Sequence, residues 1–402
     1  MIAECPQSRS IGSLLVFSDD WGRHPSSCQH LVRNLLDQYP VLWVNTIGTR
    51  APRFDVQTVK RVTEKLRQWG SAKRSQNSAE DVSAKPGSST PAQTHPNLTV
   101  VNPKMWPWFG SGRDRRLNCW LLSKQLSTLI AQLPKPVVGL TTLPITADLP
   151  DALPVDRWVY YCVDDFSQWP GLDRDTLRRM DRAMILRADS LVAVSETLQT
   201  MIADEGRAAS LLTHGVDVEF WNLASASSCV TLESRGPNVV FWGVIDRRMD
   251  SASLRRLSRD LTDGTIVLIG PQQDPDPEIL ALPNVRTLPA QPLAALPAIA
   301  RQAAVLIMPY ADLPVTRAMQ PLKLKEYLAT GRPVVVNRLP STNAWSDCLD
   351  VAESPAQFSQ LVRHRITNGI AASQAAARNR LQLEDWKSKA EVLEGVLRGD
   401  EP

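Results

Sequence analysis

No stretch of this chain is long and apolar enough to cross a membrane: runs such as Leu14-Leu15-Val16-Phe17 and Thr265-Ile266-Val267-Leu268-Ile269 are strand-sized. The first residues, Met1-Ile2-Ala3-Glu4-Cys5, lack the basic-then-apolar order of a secretory leader, so a cytoplasmic protein is expected. The 6 cysteines (Cys5, Cys28, Cys119, Cys162, Cys229, Cys348) contain no Cys-x-x-Cys pair. That argues against a disulfide framework and a cysteine zinc site, and for reduced, mostly buried thiols. With 5 histidines and no Gly-x-Ser-x-Gly elbow, a serine hydrolase has few candidate members. A net charge of +3 is too small to suggest nucleic acid as a partner. What is there is length: 402 residues, 43% of them apolar, enough for two domains with separate cores.

The first half alternates strand and helix patterns. Ser13 to Phe17 reads as a strand, Ser18 to Ser27 as a polar loop, Cys28 to Tyr39 as a helix and Val41 to Asn45 as a second strand. Open α/β sheets bind ligands at the carboxyl end of such a first strand, which makes Arg23 and His24 candidate acceptor or phosphate contacts, with simple exposure the alternative. Further strands are expected at Val137–Leu140, Trp158–Cys162 and Ser190–Val194. Residues from about 70 to 97 are rich in Ser, Ala, Lys, Pro and Gln without periodicity and read as a disordered insertion. A second α/β series follows, with strands at Asn238–Trp242, Thr265–Ile269, Ala304–Met308 and Pro333–Val336. Trp221 to Gly236 reads as the hinge, and Ser373 to Leu397 as a final helix. The expected fold class is therefore α/β with two doubly wound parallel-sheet domains.

The most informative stretch is Pro321 to Val336. Proline suits a helix start, Gly331 suits its left-handed end, and Val334-Val335-Val336 reads as a buried parallel strand. Lys323, Glu326 and Tyr327 share a helix face. A cation beside the free backbone donors of a helix start suits a phosphate; a carboxylate one turn later suits sugar hydroxyls. The bland alternative is a surface helix with an ordinary Lys–Glu pair. Elsewhere, Gly243 directly follows a buried strand, allowing close backbone approach, and Arg247 and Arg248 then offer fork-shaped donors. Thr316 lies in the loop before the helix, either facing phosphate or capping. Asp164 and Asp165 end a strand at the expected cleft, where adjacent like charges need water, a cation or a sugar. Two Asp-x-Asp triplets, Asp173–Asp175 and Asp274–Asp276, admit a metal-dependent alternative of another fold. Trp106, Trp108, Arg113, Arg115 and Arg116 combine aromatic and basic character ahead of an amphipathic helix, suiting a membrane surface; a packed helix is the alternative. Lys60, Arg61, Lys65 and Arg67 add basic charge upstream.

Glu326-Tyr327-Leu328-Ala329-Thr330-Gly331-Arg332-Pro333-Val334-Val335 resembles the "Glu-Ala-Met-Ala-x-Gly-x-Pro-Val-Val" run of retaining glycosyltransferases with the GT-B fold, family 4 or glycosyltransferase group 1. Ala188-Asp189 through Ser195, and His214-Gly215-Val216-Asp217 with Phe220, resemble further runs of that family; His214 replaces its usual Asn. Where many members carry an earlier Glu, this chain has Ala318. The resemblance implies GT-B architecture: an acceptor domain over residues 1–222, a donor domain over 223–380, and a helix within 381–402 returning to the first domain. It implies Gly243, Arg247 or Arg248 (Arg247 preferred), Thr316, Lys323 and Glu326 as donor-binding, with Lys323 and Arg247 catalytic; Asp164 and Asp165, from their place at the cleft, are further catalytic candidates. The implied donor is a UDP- or GDP-linked sugar with neither cofactor nor metal. The acceptor would be a glycan or lipid-linked sugar for polysaccharide or cell-envelope synthesis, handled in the cytoplasm or on the membrane's inner face. A non-catalytic scaffold, prompted by Ala318, and a sugar-nucleotide epimerase sharing the fold are the alternatives.

Overall fold

The structure is a computed structural model that describes residues 10–23, 26–45, 95–222, 231–232 and 236–400. His24, Lys60, Arg61, Lys65, Arg67, nearly all of the expected 70–97 insertion and most of the expected hinge lie outside those residues. The first sheet contains β1 (Ser13–Ser18), β2 (Val41–Asn45), β3 (Leu98–Val101), β4 (Val137–Thr141), β5 (Arg157–Cys162), β6 (Ser190–Ala193) and β7 (Ser210–Leu211). Their spatial order is β3-β2-β1-β4-β5-β6-β7, with every pair parallel. The second half contributes β8 (Asn238–Trp242), β9 (Ile245–Asp246), β10 (Thr265–Ile269), β11 (Gln272–Gln273), β12 (Val285–Leu288), β13 (Val305–Met308), β14 (Val334–Asn337) and β15 (Asp350–Ala352). Its main sheet is also parallel, ordered β12-β10-β8-β13-β14-β15, and β9 pairs with β11 separately.

The central strands are those with unbroken apolar runs, because helices cover both sheet faces. Every residue of β1, β8 and β10 is buried. β3, β7, β12 and β15 were not expected; they are short edge strands, and exposed positions in the first three dilute the apolar signal. In each sheet the winding reverses beside a central strand, between β1 and β4 in the first and between β8 and β13 in the second. A crevice opens at such a switch point, outside the carboxyl ends of the strands.

Two expected helices are shorter than the pattern suggested. The first runs Ser27–Arg33, capped by Ser26, and the Asn34 amide takes the His30 carbonyl at 2.8 Å, competing with continuation. The expected Ser373–Leu397 helix is divided into Ala372–Ala377, a tight turn and Trp386–Arg398. Arg378 turns inward at the break, donating to the carbonyls of Cys348 and Arg332, while Asp385 caps the last helix. That last helix packs on the first domain: Ala390, Leu393, Val396 and Leu397 lie in its core, and Tyr39 donates to Glu394 at 2.5 Å. No helix among the described residues is long and apolar enough to cross a membrane.

Leu393 is wholly buried whereas Leu383 is 77% exposed. Leu393→Ala should therefore lower stability by about 2–5 kcal/mol in denaturant unfolding, with Leu383→Ala staying within about 0.5 kcal/mol.

Candidate functional site

The second switch point assembles the strongest constellation. Gly243 ends β8 with φ at 142°, a region that favours glycine, and an added Cβ would collide with the Lys323 ammonium. Gly270 ends β10 with φ at 148°, and a Cβ there would strike the Gly243 carbonyl. The two turns thus lie backbone to backbone, with the lysine ammonium packed on the first. Lys323, in the Leu322–Ala329 helix, donates to the Tyr310 hydroxyl at 2.5 Å and sits 4.5 Å from the Phe241 ring centre. Among the described residues no ion pair neutralises it.

Arg248 approaches the same tyrosine, 5.7 Å from the ring centre. It is 4% exposed, paired with Asp246 at 2.8 Å and stacked 4.4 Å from the ring of Trp169 in the first domain. Arg247, preferred on sequence, instead reaches Asp274 at 3.3 Å on the exposed rim. Of the two arginines, it is Arg248 that shares Tyr310 with Lys323. Thr316 is wholly buried, its hydroxyl bonded to Ala311 and Leu313 carbonyls and to the Leu313 N–H, so it braces its own loop.

One turn beyond Lys323, Glu326 accepts from the Trp242 indole at 3.5 Å. Burial pushes its carboxyl up to about 7, against the opposing pull of Trp242 and Lys323. Trp242 stacks on Trp221 with ring centres 5.6 Å apart, building an aromatic wall. A groove of about 720 Å³ opens here, bounded by Glu326, Trp221 and Leu293, by His30 and Arg33 of the first domain, and by Trp386. That volume lies within the range of small-molecule sites, about 300–1,000 Å³. His30 stacks on Trp386 at 4.5 Å, and burial, aided by Arg33, depresses its imidazole to about 4.

The paired aspartates at the end of β5 have separate roles. Asp165 caps the short turn Phe166–Gln168, accepting from the Ser167 N–H at 3.0 Å and hydroxyl at 2.6 Å. Asp164 is raised to about 7, chiefly by burial, with Arg248 pulling the other way and Asp165 adding to the rise. Arg23 is exposed and pairs with Asp20 at 3.1 Å. Both Asp-x-Asp triplets serve local structure: Asp173 and Asp276 cap helices, and Asp274 holds Arg247. Among the described residues no group of three His, Cys, Asp or Glu side chains is arranged to hold a metal.

In the aromatic–basic segment, Arg115 is committed to a two-pronged pair with Asp148 at 2.8 Å for each bond, so it is removed from any membrane-facing set. Trp106 and Trp108 pack together at 4.8 Å. Arg113, Arg116, Leu117 and Trp120 are exposed on one face of the Gly112–Ala131 helix, with Lys124 over the Trp120 ring at 5.2 Å. Tyr310, Trp169, Trp221 and Trp242 escaped the sequence reading because aromatic residues beside strands read as core. Lys325 left a trace: helical spacing places it with Leu324 and Leu328 on the buried side.

The raised carboxyl of Glu326 has a thermodynamic consequence. Folding binds its proton more tightly, so its contribution to stability falls as pH rises from the unfolded value of 4.5 to about 7. Glu326→Gln should therefore melt progressively higher than wild type across that window and show its least advantage below it. Paired melting curves from pH 4 to 8 measure this.

No known family profile matches the chain. A stretch of 181 residues is 30% identical to TuaH of Bacillus subtilis (strain 168), named as a teichuronic acid biosynthesis glycosyltransferase. The match spans 42% of this chain and 45% of that relative, less than half its length. Among solved structures, sucrose-phosphate synthase from Thermosynechococcus elongatus superposes with a TM-score of 0.68 at 13% identity, covering 96% of this chain and 98% of that one. Anabaena HepE in complex with UDP and glucose gives 0.64 at 12% identity, covering 96% and 99%. The likeness runs through both domains and establishes the architecture: the chain has the GT-B fold, two Rossmann-like domains with parallel sheets.

Proposed function

We propose that the chain is a retaining glycosyltransferase that moves a sugar from a nucleotide-sugar, by preference UDP-linked, to a glycan or lipid-linked acceptor. The observation that carries the reading is the ammonium of Lys323 packed on the Gly243 turn beside Arg248, with the Glu326 carboxylate one helical turn further on, at the edge of an open groove. Support for the donor class comes from HepE, whose structures hold UDP, UDP with glucose, and UDP-glucose. Support for the pathway class comes from the partial match to TuaH.

In this reading Glu326 accepts hydrogen bonds from the ribose hydroxyls, whose donation would draw its carboxyl back toward the ionised form. Lys323 and Arg248 face the diphosphate. When the bond from the sugar carbon to the diphosphate breaks, negative charge accumulates on the leaving oxygen, and fixed cations there lower the barrier. The acceptor oxygen bonds to the same carbon, and its proton passes to Asp164, whose carboxyl titrates near neutrality. Arg23, in the loop after β1, and His24 remain proposed acceptor contacts. A second reading, a binding-only scaffold, is favoured by one feature: position 318 offers a methyl group, 5% exposed, in the first-domain core.

The reaction would take place in the cytoplasm at the membrane's inner face. Arg113, Arg116, Leu117, Trp120 and Lys124 suit an anionic lipid surface, with Trp106 and Trp108 at the edge.

UDP should raise the melting temperature of the wild type, and Lys323→Ala and Arg248→Ala should each reduce turnover of a UDP-sugar by about 10²–10³-fold. Saturable nucleotide binding without transfer or hydrolysis would leave the scaffold reading standing; no binding of UDP or GDP would defeat both. Sedimentation with vesicles containing phosphatidylserine should capture the wild type and lose an Arg113→Ala/Trp120→Ala variant, with less capture at higher salt. Equal capture of both would defeat the membrane assignment.

A further inference from the structure

The loop after β5 brings a tryptophan against the cation proposed to face the diphosphate. Trp169 follows the Phe166–Gln168 turn that Asp165 caps, and its ring lies 4.4 Å from the Arg248 guanidinium across the domain boundary. Its indole N–H is shielded from solvent yet has no hydrogen-bond partner. An indole is a donor only, and burying it unpaired costs about 1–3 kcal/mol.

Arg248 narrows what the missing acceptor is. Its Nε and one terminal nitrogen are held by Asp246, and the other terminal nitrogen contacts the Met319 sulfur at 3.6 Å. The guanidinium is thereby locked in place, while Asp246 leaves part of its charge and donor capacity for a second anion. We propose that Trp169 is a donor-binding residue of the first domain, its indole N–H bonding a diphosphate oxygen that also meets Arg248. This rests on the glycosyltransferase reading and extends it: the diphosphate would be gripped from both domains, by Lys323 and Arg248 on one side and Trp169 on the other. A bound diphosphate then favours domain approach, because only the approached state supplies the indole.

Trp169→Phe separates the roles, since phenylalanine keeps an aromatic face for Arg248 and removes only the N–H. The full chain is titrated by calorimetry with UDP and with uridine, and turnover is measured with UDP-glucose. Trp169→Phe should weaken UDP about tenfold, the effect of one hydrogen bond to a charged group, leave uridine unchanged, and melt no lower than wild type without ligand. Wild-type affinity for UDP in Trp169→Phe would overturn the assignment, as would an equal loss for UDP and uridine, which marks a packing role. If the wild type binds neither UDP nor GDP, the donor site itself is refuted and this assignment falls with it.

Discussion

The buried ammonium of Lys325 is the contact on which the placement of the candidate site depends. It occupies the inward side of the helix that carries Lys323 and Glu326, at 2% exposure. Glu384 receives it at 2.5 Å and the Thr213 hydroxyl at 3.2 Å, with the His214 carbonyl as a third acceptor. Thr213 and His214 lead out of the first domain; Glu384 precedes the helix that returns to it. Lys389 also pairs with Glu384, at 2.8 Å, and the Val216 N–H donates to the Glu384 carbonyl at 2.8 Å. A buried ion pair adds little net stability over apolar packing, because both charges lose their hydration, but removing one partner strands the other. Its consequence is geometric: the helix is held in register with both chain crossings, and the desolvated ammonium is lowered to about 8 by burial, with Glu384 resisting the fall.

The charges at the domain boundary are set against each other. Glu326 and Asp164 both sit near 7 because burial penalises their ionised forms more than nearby cations favour them. Lys323 keeps company with aromatic rings and a hydroxyl, and Arg248 pairs with the single carboxylate of Asp246. A diphosphate entering here would meet two cations whose orientation is already fixed. Preorganisation of that kind is what converts a binding contact into a lowered barrier, since nothing has to reorganise as charge develops.

Much of this was legible in the sequence where residue type and backbone demand coincide. Val334-Val335-Val336 could only be an interior strand, and Pro321 with Gly331 bracketed the helix before it. Gly243 was legible because a glycine right after a buried strand implies close approach. The side chain that approaches, Lys323, was already singled out. The choice between Arg247 and Arg248 was not legible, because it depends on whether Asp246 or Asp274 captures each guanidinium. Thr316 fits a phosphate contact and a loop brace equally well until its hydroxyl is seen to be surrounded by carbonyls. Edge strands and the break at Arg378 escaped for the same reason: tertiary partners decide them, and local periodicity carries no record of those partners.

Contacts across the domains give the Ala318 departure a physical account. Ser195 caps its own helix and also donates to the Ala318 carbonyl at 2.7 Å, while Thr197 reaches the Arg317 carbonyl at 3.2 Å. The Pro314–Ala318 helix is thus seated on the first domain, with the Ala318 methyl in that domain's core. A carboxylate at this position would enter apolar surroundings without a described partner, at a cost of several kcal/mol or a strongly raised pKa. The methyl group is what allows this close seating. Arg248 and Trp169 meet along the same boundary, and Asp164 is the first-domain acid whose charge reaches Arg248. The acid facing this cation across the cleft therefore comes from the opposite domain, so the constellation is complete only when the domains are together.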